Sequence, residues 1–373
     1  MGFKNVIIGI DASRAALAQH TGTEAYAYRL IQALAEFGSK QVQFRLYTDR
    51  APQTQPWPET PFVETRSIPF PRLWTHVRLA AELHTHPPDV LFVPAHVLPL
   101  YCPVPAVVTV HDLAYRFYPE TYTRQQRLYL DWSTRRHTRV ARHIIADSQA
   151  TKTDLLQEYH ADPAKISVVH LGRDPALQPV DYRQAMLDKY GIKQPYLLYI
   201  GTLQPRKNLL RLLTAFSHIS QKHPVQLVLA GGKGWLYEQI FAEVNRLGLQ
   251  NRVLFPGYVN EADKASLISG AELYVYPSLY EGFGIPILEA MACGTPILTS
   301  NCSSMAEIAA DAAWLIDPLD TEAMVTGLDC LLTDVTLRDK LIQCGLQRVQ
   351  DFSWEQAAKQ VFTVLTEMVE QPK

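Results

Sequence analysis

Short apolar runs of four to six residues recur along the chain, each followed by a longer stretch in which apolar positions return every three or four residues. The first pattern predicts strands and the second predicts amphipathic helices. In the first half, strands are predicted over 6–10, 43–48, 90–94, 106–110, 143–147 and 166–169, and helices over 23–37, 72–83, 123–142 and 148–159. In the second half, strands are predicted over 196–200, 226–230, 253–256, 273–277, 296–299 and 313–316. Helices there are predicted over 208–222, 235–247, 261–270, 286–292, 305–310, 321–333 and 337–349. This alternation implies an α/β protein built on parallel sheets. Residues 171–194 carry Gly, Pro and charge without a long apolar pattern, and so mark a boundary. The expected division is a Rossmann-like domain over 1–180, a second over 181–351, and an amphipathic helix over 352–373 that packs back towards the N-terminal domain. In open α/β sheets ligands sit outside the carboxyl ends of the strands, so the loops after the strands are where chemistry is expected.

At 373 residues the chain is too long for one ordinary core. A formal net charge of −2 argues against a dedicated nucleic-acid binder. The charge is unevenly shared: residues 1–190 carry 21 Lys and Arg against 18 Asp and Glu, and residues 191–373 carry 14 against 19. Five cysteines (Cys102, Cys293, Cys302, Cys330, Cys344) are odd in number and form no C-x-x-C, as expected of reduced thiols in a cytoplasmic chain. The first residues read as a strand and lack the cleavage pattern of a signal peptide. No apolar run reaches the ~18–20 residues of a membrane span, so any membrane contact is expected to be peripheral.

The densest chemical signal is Glu281-Gly282-Phe283-Gly284-Ile285-Pro286-Ile287-Leu288-Glu289, directly after a predicted strand. Proline is favoured where a helix begins, which puts Glu281 in a glycine turn and Glu289 in the first turn of the helix. N–H groups and the positive end of the helix dipole make such a turn an anion site, most often for phosphate. Two carboxylates beside a phosphate can hold the hydroxyls of a polyol, and phosphate plus polyol suggests a nucleotide sugar. A second constellation, Gly201-Thr202-Leu203-Gln204-Pro205-Arg206-Lys207-Asn208, ends the first strand of the second domain. Its adjacent cations suit a pyrophosphate, or are solvated charges on an ordinary turn. Gly231 and Gly232, in Ala230-Gly231-Gly232-Lys233-Gly234, let a backbone approach a ligand closely or simply form a tight turn; the Walker pattern is absent. Gly257-Tyr258-Val259-Asn260 offers its backbone to a base edge. In the first domain, Thr109-Val110-His111-Asp112 sets a histidine at a strand's carboxyl end. Gln19-His20-Thr21-Gly22-Thr23-Glu24 offers Gly22 to a phosphate and Thr23 as a helix cap. No two aspartates stand two residues apart, so a metal-holding D-x-D pair is missing, and His84-x-His86 has no companion ligand nearby; no metal site is expected.

Taken together, these pieces resemble the retaining glycosyltransferases of family 4 over nearly the whole chain, most strongly over residues 201–318. Residues 201–212, and 279–301 with Ser303, Ser304 and Glu307, resemble the mannosyltransferase B branch, which builds polysaccharide from GDP-mannose. The resemblance implies the GT-B fold, two Rossmann-like domains facing a central cleft, with acceptor bound by the first and donor by the second. It implies that the E-x7-E glutamates are Glu281, on hydroxyls of the donor sugar, and Glu289, on the ribose. Arg206 and Lys207 would take the pyrophosphate, and His111 would touch the donor sugar near the reacting carbon. Gly282, Phe283, Gly284 and Ile285 would face sugar and phosphate, and Gly22, Gly201, Gly231, Gly232, Tyr258 and Val259 would complete the donor site. Many members carry Arg directly after the glycine, whereas Thr202 stands there in this chain. The implied reaction retains anomeric configuration without a metal, with the leaving phosphate helping to deprotonate the acceptor and closure of the domains excluding water. It needs no cofactor besides the nucleotide-sugar co-substrate. The implied partners are that donor and a glycan or lipid-linked acceptor, at the cytoplasmic face of the plasma membrane, with no nucleic acid.

Other readings stand beside this one. The two glutamates are also the pair a glycoside hydrolase needs, if they flank one glycosidic bond. A nucleotide-sugar epimerase shares the sheet pattern, and an inactive nucleotide-sugar binding protein would keep the same contacts. A transferase of this family could use UDP-glucose, UDP-GlcNAc or GDP-rhamnose instead. Finally, Arg116, Arg124, Arg127, Arg135, Arg136, Arg139 and Arg142 stand against only Glu120 and Asp131, interleaved with Tyr115, Phe117, Tyr118, Tyr122, Tyr129 and Trp132. This stretch reads either as a face for an anionic membrane or as a solvated helix whose aromatics pack into the core.

Overall fold

The structure, a computed structural model, describes residues 5–17, 22–51, 57–58, 60–95, 97–181 and 184–370. The chain forms two compact units. One comprises Met1–Arg116, Arg124–Gly172 and Ser353–Lys373, and the other Phe117–Thr123 and Arg173–Phe352.

The first unit runs β1 (Val6–Asp11), α1 (Gly22–Ala35), β2 (Val42–Thr48), β3 (Val63–Ser67), a π-helical stretch Thr75–Leu79 continued by α2 (Ala80–Thr85), β4 (Val90–Val93), β5 (Ala106–Val110), α3 (Ala114–Phe117), α4 (Arg124–Val140), β6 (His143–Ala146), α5 (Gln149–Tyr159) and β7 (Ile166–Val168). Its seven strands are parallel, in the order β3-β2-β1-β4-β5-β6-β7. Every residue of β4 and β5 is buried, which is why they read as near-continuous apolar runs, broken only by Thr109, and not as alternating ones. Strand β3, Val-Glu-Thr-Arg-Ser, escapes the sequence pattern because it is a polar edge, with Glu64 paired to Arg45 at 2.9 Å.

The second unit runs α6 (Gln184–Tyr190), β8 (Tyr196–Ile200), α7 (Leu209–Lys222), β9 (Gln226–Ala230), α8 (Glu238–Arg246), β10 (Val253–Leu254), α9 (Glu261–Ser269), β11 (Leu273–Tyr276), α10 (Ile285–Ala292), β12 (Ile297–Ser300), α11 (Ser303–Ala309), β13 (Trp314–Ile316), α12 (Thr321–Thr333) and α13 (Val335–Arg348). Its parallel order is β10-β9-β8-β11-β12-β13. The last helix, α14 (Trp354–Glu370), belongs to the first unit, where Phe362 stacks on Phe37 at 5.0 Å.

Several predicted boundaries move for local reasons. Helix α1 begins at Gly22, so Thr23 is its second residue and not its cap. The helix predicted over 72–83 starts late because Leu73 turns left-handed, at φ 55°. Leu236, at φ 56°, likewise delays α8 to Glu238. Helix α6 is invisible in the apolar pattern because only Leu187 is buried.

In both sheets the strand order turns back on itself, between β1 and β4 and between β8 and β11. Such switch points open a crevice at the carboxyl ends of the two strands.

Candidate functional site

The two densest motifs of the sequence meet at the switch point of the second unit. Gly201 follows β8 and Glu281 follows β11, and those strands are hydrogen-bonded neighbours. After β8 the chain makes one 3-10 turn, Pro205–Lys207, closed by Asn208 at φ 59°. Asn208 is anchored by donating its amide to Pro318 O at 2.7 Å. The two loops are tied together where the Leu279 N–H donates to Arg206 O at 2.9 Å. That tie presents both cations to one carboxylate. Lys207 Nζ lies 2.5 Å from Glu281 Oε1 and donates to the Tyr276 hydroxyl at 2.6 Å. Arg206 Nη1 lies 2.9 Å from the same oxygen and also donates to the Tyr280 carbonyl. Ser303 and Ser304 clamp the turn from α11, donating to the Glu281 carbonyl at 2.5 and 2.9 Å.

Burial alone would raise the Glu281 pKa, but Lys207 and Arg206 hold it down at about 2. A carboxyl this acidic stays ionised and cannot serve as a general acid, which counts against the hydrolase reading. Glu289 is also engaged with a cation: Lys264 Nζ lies 2.8 Å from it and 2.9 Å from Glu261. Although burial opposes its charge, Lys264 is held protonated by Glu289. The helix carrying Glu289 starts at Ile285, capped by Gly284 at φ 109°, with Pro286 second. Glu289 is therefore the fifth residue of α10 and not in its first turn. Gly282, Phe283 and Gly284 are buried, with Phe283 edge-on to Phe352 at 6.0 Å.

The glycines of the neighbouring loops serve one another. A Cβ on Gly231, which has φ 137°, would sit 2.0 Å from Gly201 O, so the backbone here comes close to the loop after β8. The Gly231 N–H donates to Gly257 O at 2.8 Å, and Leu203 N–H to Gly232 O at 2.9 Å. A Cβ on Gly232 would meet nothing within 4 Å. Tyr258 is 68% exposed, whereas the Val259 side chain belongs to the core.

In the first unit, His111 follows β5 and is held by the loops after both neighbouring strands. Its Nδ1 donates to Asp147 Oδ2 at 2.7 Å, after β6, and its Nε2 to Pro94 O at 2.9 Å, after β4. The Pro94 carbonyl can only accept, so Nε2 carries a proton, and the Nδ1–Asp147 bond holds one more between ring and carboxyl. Burial lowers its pKa, but Asp147 outweighs burial and leaves it raised. Burial in turn raises the Asp147 carboxyl, so the two groups hold a proton between them. Gly22 is exposed at the start of α1, and a Cβ there would meet nothing within 4 Å; Gln19, His20 and Thr21 lie outside the described residues. A cavity of about 430 Å³ opens beyond β1 and β2, lined by Ser13, Arg14, Asp49, Arg50, Trp74 and Tyr129 among others.

Sequence reasoning missed Tyr276, Lys264, Asp147 and the clamping role of the two serines. A lysine three residues into a helix, or a tyrosine ending a strand, carries no motif. Asp147 shared the strand-end placement of His111 and could have been found by it. Among the described residues no group of three or more His, Cys, Asp or Glu is placed to hold a metal ion.

Two doubly wound parallel sheets, one with two cations gathered on a carboxylate at its switch point, are the architecture of the GT-B transferases. Sucrose-phosphate synthase from Thermosynechococcus elongatus superposes with a TM-score of 0.76 at 21% identity, covering 97% of this chain and 99% of that one. WaaG, a glycosyltransferase involved in lipopolysaccharide biosynthesis, gives 0.70 at 20% identity, covering 97% and 100%. Residues 183–348 match the model of the glycosyl transferases group 1, and residues 20–177 that of glycosyltransferase family 4. O-antigen chain mannosyltransferase B of Escherichia coli is 32% identical over 260 residues, 68% of each chain. MMP alpha-(1->4)-mannosyltransferase of Mycolicibacterium hassiacum is 31% identical over 236 residues, 61% of this chain and 55% of that one. With the serotype-specific mannosyltransferase WbdA of Escherichia coli the match is 29% over 228 residues and spans only 27% of that protein. The chain belongs to glycosyltransferase family 4.

Proposed function

We propose that the protein transfers mannose from GDP-mannose to a glycan or lipid-linked acceptor in the building of a polysaccharide, with retention of configuration and without a metal. The observation that carries the reaction type is the placement of Arg206 and Lys207 against Glu281 at the β8–β11 switch point. The mannosyl donor rests on the likeness to mannosyltransferase B.

On this reading Arg206 and Lys207 hold the donor's pyrophosphate, and Glu281 accepts from hydroxyls of the sugar. Glu289 is the ribose partner. As the bond from the anomeric carbon to the phosphate oxygen breaks, negative charge grows on that oxygen. The two cations and the N-terminus of α10 are aimed at such charge, in a site where little water screens them. The acceptor hydroxyl forms the new bond on the same face and gives its proton to the departing phosphate. The cavity beside Arg14 and Trp74 is the place in the first unit that suits an acceptor sugar. The absent D-x-D pair and the two protein cations support metal independence. Five free cysteines suit a reducing cytoplasm, where nucleotide sugars are made.

The test is a panel of GDP-mannose, GDP-rhamnose, UDP-glucose and UDP-GlcNAc, read by thermal shift and by nucleotide release with and without acceptor glycan. A ligand that binds only the folded state raises its stability by mass action. GDP-mannose should stabilise the protein and turn over. Stabilisation and turnover by UDP-glucose with neither from GDP-mannose would overturn the donor assignment. Activity abolished by EDTA and restored by Mg²⁺ or Mn²⁺ would overturn metal independence.

A further inference from the structure

Apart from Tyr129, which lines the cavity given to the acceptor, helix α4 has no part in the transferase reading, and its outer side is unlike an ordinary solvated face. Ser133, Thr134 and His137 turn inward. On the other side Leu128 is 63%, Tyr129 44% and Trp132 43% exposed. At ~3.6 residues per turn, Leu128, Trp132, Arg124, Arg135 and Arg139 fall within roughly 40° of one line down that side. Residues 124–129 are exposed all round.

The charges there are largely uncompensated. Arg135 has Asp131 at 3.3 Å and Arg116 has Glu158 at 2.6 Å, but Arg124, Arg127 and Arg139 meet no acidic partner among the described residues. Arg136 has another duty. It donates to Pro99 O and Leu100 O, both at 2.7 Å, while the Leu98 N–H donates to His137 Nε2 at 3.3 Å. These bonds pin a loop beside the helix whose Leu100 and Tyr101 are 56% and 59% exposed. The aromatics of this stretch therefore divide. Tyr115 is buried and bonded to Thr134 and Tyr159, and Phe117 stacks on Tyr280 at 5.1 Å. Tyr129 and Trp132 stay outside the core.

Exposed apolar side chains gathered in one place mark an interaction surface. A protein partner suits an apolar centre with a polar rim. Here arginines alternate with Leu and Trp along one line, which suits a bilayer boundary: guanidinium groups reach lipid phosphates, aromatic rings sit at the headgroup level, and Leu enters the acyl region. We propose that the outer face of α4, with Leu100 and Tyr101 beside it, docks the protein reversibly on an anionic bilayer. Among the described residues no helix is long and apolar enough to cross a membrane, and this face needs none. The proposal rests on the reading above only for its purpose, bringing the enzyme to a lipid-linked acceptor; the docking is measured without donor or acceptor.

The experiment is co-sedimentation of the full chain with phosphatidylglycerol–phosphatidylcholine vesicles and with pure phosphatidylcholine vesicles. Binding should require the anionic lipid and weaken as salt is raised. Each cation near such a surface is worth about a fivefold change in affinity, so replacing Arg124, Arg127 and Arg139 by Ser together should weaken binding by roughly 100-fold. Leu128→Ser with Trp132→Ser should weaken it at any salt. The blue shift of tryptophan emission on binding should vanish in Trp132→Phe. Nucleotide release from GDP-mannose in vesicle-free solution should be unchanged in all of these variants, and that measurement reports on the proposed function alone. No sedimentation of the wild type at low salt would overturn the proposal. So would equal binding by Leu128→Ser/Trp132→Ser, or a dimer at micromolar concentration that the same double variant dissolves, which would give the face to a second copy of the chain.

Discussion

Replacing Glu281 by Gln removes one negative charge from between the buried Lys207 and the half-buried Arg206 and changes little else in shape. Against burial, Lys207 and Arg206 hold its pKa at about 2, below the ordinary 4.5, so the fold prefers the ionised form. At ~1.4 kcal/mol per unit that preference is roughly 3 kcal/mol. Its side chain is only 12% exposed, and those of Arg206 and Lys207 are 12% and 9%, so water screens the pair little. The variant also leaves both cations without their counter-ion, and breaking a buried pair by removing one partner costs about 3–5 kcal/mol. Glu281→Gln should therefore be less stable by about 3 kcal/mol at pH 7. Because the folded pKa is depressed, this contribution is fully present above about pH 4.5 and is lost as the pH falls through about 2. The wild-type and variant stabilities should converge across that window. Urea unfolding of the full chain, followed by amide hydrogen exchange at β8 and β11, reports the second unit specifically. Inorganic pyrophosphate should stabilise the variant more than the wild type, because its phosphates no longer compete with a carboxylate. A variant within about 0.5 kcal/mol of wild type at pH 7, the ordinary range for a surface change, would refute the reasoning. A gap that stays constant down to the lowest pH at which the chain folds would also refute it.

Three further outcomes follow from named contacts. Arg206→Ala and Lys207→Ala should each lower turnover by ~100-fold or more, comparable to losing one transition-state charge donor; near wild-type turnover in both would place the pyrophosphate elsewhere. Gly231→Ala should destabilise the second unit by at least about 2 kcal/mol in a denaturant titration, since its Cβ would sit on Gly201 O at φ 137°, and a neutral result would mean the loops do not interlock. Asp147→Asn should cost most below about pH 6.5 and progressively less as the pH rises: His111 has a raised folded pKa, so its contribution is present below about 6.5 and lost as the pH rises through the folded value. An unfolding deficit independent of pH would mean that His111 is neutral.

Much of the fold was legible because buried parallel strands leave no choice of residue. β4, β5 and β11 bury every position, so their apolar runs stand out and their loops can be searched for chemistry. Glu281, Arg206, Lys207 and His111 were found that way. The edge strand β3 and helix α6 were not, since elements that bury one face or one residue keep a polar pattern indistinguishable from loop. The contact of Gly231 with Gly201 was not legible, because a sequence shows that backbone can come close but not what it comes close to. The arginines of α4 looked interchangeable in the sequence. Only the hydrogen bonds separate Arg136, which holds a loop, from Arg124, Arg127 and Arg139, which face outward.

The spacing of the two glutamates has a consequence for charge. Glu281 lies before α10 and Glu289 at its fifth position, so they reach different cations on different elements: Arg206 and Lys207 from the loop after β8, and Lys264 from α9. Each carboxylate is thus paired before any ligand arrives. With Glu281 ionised and both neighbours charged, the first cluster carries a net charge of about +1 at neutral pH. That is too little to neutralise a diphosphate, and on the proposed reading the N-terminus of α10, equivalent to roughly +0.5 of a charge, offsets part of the remainder. As the sugar–phosphate bond breaks, one further negative charge develops on the leaving oxygen. At an effective dielectric near 20, a unit charge ~4 Å from that oxygen stabilises it by about 4 kcal/mol. A carboxylate pinned between the cations keeps them from swinging out to solvent in the empty enzyme. The charge is then already in position when the bond breaks, and positioning of that kind lowers the barrier without reorganisation.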